Sequence, residues 1–339
     1  QTNINKNIFF KYDINMILQE KIKTNFDDTE LIDKIEQLKK EKNAILLAHF
    51  YVDENIQDIA DYVGDSLGLS QKAVKTNADM IVFAGVHFMA ETAKILSPDK
   101  KVLIPDFDAG CSLANSCPPQ EFGLFKEKYP DHIVISYINC SALIKTMSDI
   151  ICTSGNAVQI VESFPKNQKI LFAPDKNFGG YINRVTGRKM IFWNGACEVH
   201  DNLKTESIIK MKNKYPDAKV IAHPECKEQI LELADFVGST TALLNFTKKD
   251  KAKKFIVATE SGILHQMRKE SPQKEFYIVA KDDKSNCNDC SYMKMNSLQK
   301  LYLCMKNEYP QIHLNNEIII KARKPIERMF EISRSLGLI

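Results

Sequence analysis

The chain has little charge imbalance: 46 Lys and Arg against 43 Asp and Glu leave a formal +3 over 339 residues. Neither a nucleic-acid footprint nor a surface built for an acidic partner is present. No apolar run reaches the roughly eighteen residues a membrane span needs, which excludes a helical membrane protein. The opening QTNINKNIFF lacks the charged start and apolar core of a secretory signal. The expected compartment is therefore the cytosol, or a plastid if the source is a photosynthetic eukaryote. A Walker-type glycine-rich phosphate loop is also missing, so any anionic substrate has to be met by other groups. Tryptophan occurs once, at Trp193. What is present is nine cysteines, an odd number scattered along the chain. In a cytosolic protein that pattern favours metal binding or thiol chemistry over a disulfide framework.

The most informative stretch is Lys219 to Phe246, KVIAHPECKEQILELADFVGSTTALLNF. Apolar Val220-Ile221-Ala222 ends in His223-Pro224-Glu225, a helical run follows with Ile230, Leu231 and Ala234 on one face, and Phe236-Val237-Gly238 ends in Ser239-Thr240. A strand, helix, strand unit of this kind puts both polar clusters at the carboxyl edge of a parallel sheet, where open α/β folds bind ligands. Ile135 to Phe164 copies it without a gap: Cys226 and Cys140, Asp235 and Asp149, and Thr240 and Ser154 each differ by 86. Tyr137 and Asn139 then stand where His223 and Glu225 stand. A looser copy begins at Ala44, with His49 and Tyr51 in those places. Its second strand is expected at Met80 to Gly85, and its close at Val102 to Asp106, matched to Ile170 to Asp175.

The expectation is an α/β protein of three related units. The divisions are 1–43, a helical extension; 44–128, 129–214 and 215–339, the three units, the last carrying a helical tail. In the extension, Leu31, Ile35 and Leu38 make a narrow apolar stripe with a packing role. In the tail, Leu301, Met305, Ile326, Met329 and Phe330 are expected to pack back on the units, and Lys321-Ala322-Arg323-Lys324 to form a solvated face.

Each unit also ends in a loop cysteine. Cys111 lies 62 residues after His49, Cys197 lies 58 after Asn139, and Cys290 lies 65 after Glu225. Three thiolates brought together by pseudo-threefold packing suit a [4Fe-4S] cluster with one iron left open. A tetrahedral zinc site of the same cysteines and a histidine is the rival, and spacing alone does not choose between them. Cys140, Cys152, Cys226 and Cys304 lie in or near apolar segments and read as core fillers, with Cys117 a neighbour of the site. Glu225 is the leading candidate for moving protons, with His49, Tyr51 and His223 beside it. An N-cap carboxylate for the following helix is its structural alternative. A redox regulator and a zinc lyase acting on a phosphorylated sugar are the other functional readings.

These residues lie in an ordered series of motifs: HFYVDENIQDIADYVGDS, AGCSLANSC, YINCSALIKTMSDIICTS, PDKNFGGYI, GACEVH, AHPEC, LADFVGST, FIVATESGILH and MKMNSLQKLY. In these, from about Ala44 to Ile332, the chain resembles the quinolinate synthase family of NAD biosynthesis. The resemblance implies three similar three-layer α/β/α domains with short parallel sheets around a pseudo-threefold axis. It implies condensation of iminoaspartate with dihydroxyacetone phosphate to quinolinate, with loss of phosphate and two waters, and an aspartate oxidase or dehydrogenase as supplier of iminoaspartate. It also implies a [4Fe-4S] cluster on Cys111, Cys197 and Cys290, whose open iron acts as a Lewis acid. Substrate oxygens would be held by His49, Ser66, Tyr137, Asn139, Ser154, His200, His223, Glu225, Ser239 and Thr240. Many relatives carry CxxCxxC in the last cysteine motif. Here Lys284 stands in the first place, leaving Cys290 as the ligand that the resemblance implies and Cys287 free to form a disulfide with it, a proposed redox switch in some relatives.

Overall fold

The computed structural model describes residues 26–280 and 287–339. Lys284 and the first 25 residues of the extension lie outside the described residues. Among the described residues, twelve short strands form three parallel sheets of four. In the first, β1 (Ala44–His49), β2 (Tyr62–Gly64), β3 (Met80–Ala84) and β4 (Lys101–Leu103) run in the order β2-β1-β3-β4. The second has β5 (Ile133–Tyr137), β6 (Ile150–Cys152), β7 (Ile170–Ala173) and β8 (Ile191–Phe192) in the order β6-β5-β7-β8. The third has β9 (Lys219–Ala222), β10 (Phe236–Val237), β11 (Lys254–Ala258) and β12 (Glu275–Ile278) in the order β10-β9-β11-β12. Helices flank each sheet, so the inner strands are covered on both faces and read as unbroken apolar runs such as Leu46-Leu47-Ala48 and Val220-Ile221-Ala222.

The repetition is real at the level of single hydrogen bonds. In each unit an aspartate fifteen residues into the repeat accepts the amide of the central strand: Leu46 N–H to Asp61, Val134 N–H to Asp149 and Val220 N–H to Asp235, each at 2.7 Å. The same aspartate's own amide donates back to Leu46, Val134 or Val220. This doubled clamp sets the start of the second strand against the first. Asp235→Ala is expected to lower unfolding free energy by about 1 kcal/mol, the net worth of one such bond at a partly wet site. Denaturant unfolding checks it, and a wild-type midpoint would mean that the clamp is idle.

Two expectations need correction. The second strand of the first unit is Tyr62–Gly64, three residues between two helices; Met80–Ala84 is the third strand and pairs directly with β1. Accordingly Ile170–Ala173 corresponds to Met80–Ala84, and Val102-Leu103 belongs to the fourth strand, the counterpart of Ile191–Phe192. A strand of three residues is too short to show a period, whereas the five-residue apolar run Met80–Ala84 carries the stronger strand signal. The helix after Glu225 is also brief, Glu228–Leu231.

The helix Asp28–Glu41 buries Leu31 and Ile35 and opens on a capping box between Asp27 and Glu30. The helix Leu298–Asn307 packs on it, and the long helix Asn316–Ser335 lies along Ala142–Thr146 and β6 of the second unit. Leu301, Met305, Ile326, Met329 and Phe330 are all buried, while Lys321 and Arg323 pair with Glu317 and Glu327 one turn away on the outside. Among the described residues no helix is long and apolar enough to cross a membrane.

Candidate active site

The carboxyl edges of the three sheets converge. Strand register makes His49, Tyr137 and His223 equivalent, each following the last paired residue of its central strand. Tyr51, Asn139 and Glu225 follow two residues on. Across from them, the second strands lead to Ser66, Ser154 and Thr240 at equivalent places. These nine side chains, with His200 and the three loop cysteines Cys111, Cys197 and Cys290, line one cavity of about 60 Å³. Val86, Phe88, Met89, Val199 and Met293 supply its apolar wall. Of the residues singled out from sequence, Ser239 does not line it: Ser239 Oγ accepts the Ala242 amide and caps the helix Thr240–Lys249. Asp58 faces outward to His265 and Lys269, and Lys176 reaches Asn194 at 3.3 Å away from the cavity.

One continuous hydrogen-bonded chain crosses the site. Tyr51 Oη lies 2.7 Å from Thr259 Oγ1, and Thr259 Oγ1 lies 2.9 Å from His200 Nε2. His200 Nδ1 lies 2.9 Å from Glu225 Oε2, while Glu225 Oε1 accepts from Tyr137 Oη at 2.6 Å and faces Asn139 Nδ2 at 3.4 Å. With the Glu225 carboxylate taking the proton of Nδ1, Nε2 of His200 is left to accept the Thr259 hydroxyl, and Thr259 to accept from Tyr51. Burial pushes the Glu225 carboxyl up, but the neighbouring imidazoles and the hydrogen bonds from His200 and Tyr137 outweigh it and keep the group ionised. Burial holds both phenols, Tyr51 and Tyr137, well above their ordinary range, so they are neutral donors.

His49 and His223 share a local device. The amide two residues on donates to Nδ1 of each, from Tyr51 at 3.2 Å and from Glu225 at 3.5 Å. The acceptor role of Nδ1 leaves the proton on Nε2. Burial, helped by His223 near His49 and by His200 near His223, takes both down to about 3. They are neutral donors at physiological pH.

The cysteines form a second matched set. Cys111 and Cys197 are the residues before short helices, Ser112–Asn115 and Glu198–Asp201, and Cys290 precedes the turn Met293–Met295. The sulfur of each is faced by amides of that turn: Leu113 and Ala114, His200, and Tyr292 and Met293. Burial is the main force raising all three thiols, Cys111 to about 12 and Cys290 to about 11, with Cys111 further raised by Cys290 and Cys197 by Cys111. All three cysteines line the one cavity. Cys197, His200 and Glu225 also bring ligand atoms within 4.8 Å of one another. Cys140, Cys152, Cys226 and Cys304 are buried among apolar side chains, as is Cys117. No disulfide joins any of the nine.

The profile of the quinolinate synthetase A protein family matches residues 33–331. The chain belongs to this family. It is 58% identical over 304 residues to the quinolinate synthase of Microcystis aeruginosa, covering 90% of this chain and 95% of the relative. To the quinolinate synthase of Synechocystis sp. it is 57% identical over 304 residues, 90% of this chain and 96% of the relative. To that of Cyanophora paradoxa it is 55% identical over 319 residues, 94% of this chain and 96% of the relative. The chain is therefore an enzyme, and the regulator reading falls away.

Sequence reasoning missed Thr259, the link between Tyr51 and His200. It follows Ala258, which pairs with Ala222 beside His223, so the strand-end rule that found His49 and Tyr137 would have found it once β11 was recognised as the third strand. Asp175 and Glu260, one place further along equivalent strands, were missed for the same reason.

Proposed function

We propose that the enzyme condenses iminoaspartate with dihydroxyacetone phosphate in this cavity, giving quinolinate, inorganic phosphate and two waters. An enzyme oxidising aspartate would supply the imino acid. The observation that carries the reading is the meeting of three amide-faced cysteines with the chain Tyr51–Thr259–His200–Glu225 in one buried space.

The donor set fits a [4Fe-4S] cluster better than zinc. Three sulfurs from three units, each solvated by its own turn amides, match the thiolates such a cluster takes. His200, 3.3 Å from Cys197 Sγ, is engaged at both nitrogens by Glu225 and Thr259 and so is not free as a fourth, zinc-type ligand. When bound by Cys111, Cys197 and Cys290, the cluster would supply a Lewis-acidic iron for a hydroxyl or carboxylate oxygen.

The chain's own groups then divide the work. Ser66 and Thr240 open helices, and Ser154 lies just before one, so hydroxyls and free amides meet carboxylate and phosphate oxygens without a cationic loop. Nε2–H of His49 and of His223 donate to substrate oxygens as neutral imidazoles. Tyr51 Oη takes a proton from the substrate as its own passes to Thr259 Oγ1 and the Thr259 proton to His200 Nε2. Glu225 stabilises the resulting imidazolium, which returns the proton by the same path to a departing hydroxyl, released as water. In this scheme Glu225 orients and stabilises, while Tyr51 touches the reacting atoms.

The test is quinolinate production from both substrates by anaerobically purified, iron-loaded protein. A fully loaded protein that makes none would defeat the reading. Thr259→Val is expected to lower kcat by about 10²–10⁴-fold, the range for losing proton relay, with Thr259→Ser restoring most of it. Equal loss in both variants would mean that Thr259 only packs.

A further inference from the structure

Two groups outside the proton chain, a buried carboxylate and a partly exposed ammonium, tie its outer end to the third cysteine. Glu260, fully buried, stands two residues beyond Ala258; the register gives its counterparts as Asp175 and Val86. Its carboxylate accepts the Gly262 amide at 2.6 Å and the Cys290 amide at 3.2 Å. Lys294 Nζ lies 3.6 Å from Glu260 Oε1 and 3.2 Å from Asp53 Oδ1, and donates to the carbonyl of Tyr51 at 3.1 Å. The turn after β11 is meanwhile pressed on the turn after β1: a Cβ at Gly262 would lie 2.8 Å from both Phe50 O and Tyr51 Cα. Gln57 Nε2 bridges the two turns through the carbonyls of Phe50, Val52 and Gly262.

Burying the Glu260 carboxylate costs desolvation that a partly exposed ammonium 3.6 Å away only partly offsets, so its placement here calls for a positional reason. We propose that Glu260 and Lys294 are positioning residues that hold the Cys290 loop, the Thr259 turn and the Tyr51 turn in one fixed arrangement. The third thiol and the outer end of the proton chain are then set by the same device. This rests on Cys290 being a cluster ligand, but only in part, because the coupling of the three segments exists without any metal.

Iodoacetamide labelling of the iron-free protein, read cysteine by cysteine by mass spectrometry, tests the arrangement. Glu260→Gln and Lys294→Met are each expected to speed labelling of Cys290 about ten-fold, the effect of losing one charged partner of a buried bond, while Cys111 and Cys197 keep their rates. Charge alone would act oppositely, since removing the carboxylate makes the thiol easier to ionise and removing the ammonium makes it harder. Opposite shifts, no shift, or a uniform rise at all three cysteines would each overturn the proposal. Asp53→Asn, at the half-exposed outer end, should give a smaller rise of the same sign and carries the test should Glu260→Gln fail to fold. In loaded protein the first two variants should lose iron to a chelator roughly 10–100-fold faster, as expected for groups that orient a ligand. A wild-type protein that takes up no iron would end the cluster reading and leave the labelling result intact.

Discussion

Glu225→Gln is expected to lower quinolinate formation by about 10³–10⁴-fold while leaving iron content and the fold unchanged, the loss found when the acid that orients a catalytic imidazole is neutralised. In the native site, one carboxylate oxygen takes His200 Nδ1 and the other takes Tyr137 and Asn139. Glutamine is isosteric but has one oxygen, and its NH2 has to face either His200 or Tyr137. If it faces His200, the imidazole must move its proton to Nε2, where it can no longer accept from Thr259. If it faces Tyr137, that phenol loses its acceptor, and the charge that would stabilise an imidazolium is gone in either case. Single-turnover quinolinate assays on anaerobic protein measure the effect. A variant within ten-fold of the parent would remove Glu225 from the proton path and leave it only the task of fixing His200 and Tyr137, since the helix that follows has its N-cap at Lys227.

Cys197→Ala is expected to reduce bound iron from a full complement to almost none, and quinolinate formation with it. Its sulfur lines the cavity 3.3 Å from His200 Nδ1, and no other cysteine among the described residues bonds that imidazole. Cluster binding contributes free energy only when all its thiolates are in place, so two remaining sulfurs on separate units should not retain it. Cys287→Ser is the matched control: Cys287 is exposed and does not line the cavity, and iron content should stay at the parent level. Iron and sulfide assays with the visible spectrum decide the matter. Loss in the control with retention in Cys197→Ala would invert the ligand assignment, and a colourless active protein with stoichiometric zinc would replace the metal.

Much of this site was legible because a parallel strand, its terminal turn and the next helix are local in sequence. The offset of 86 between Cys140 and Cys226 carried Asp149 onto Asp235, and both clamp a strand in the same way. Where an element was too short to have a period, reading failed: Tyr62–Gly64 was passed over, the units were matched one strand out of step, and Thr259 was lost with that error. Ser239 was included because a hydroxyl at a strand end looks the same whether it meets a ligand or caps a helix.

By itself, then, the sequence determined the three-unit α/β plan and the identity of the polar groups and sulfurs at the sheet edges. Register within a strand and the turn after it depend on neighbours a few residues away. Only the tertiary structure decided which of those groups touch, and so which carry protons. Thr259 reaches Tyr51 and His200 across 208 and 59 residues of chain, and Glu225 reaches Tyr137 across 88. The same packing made His49 and His223 neutral and kept Glu225 charged, because burial and partners are properties of the assembled cavity and of no single segment.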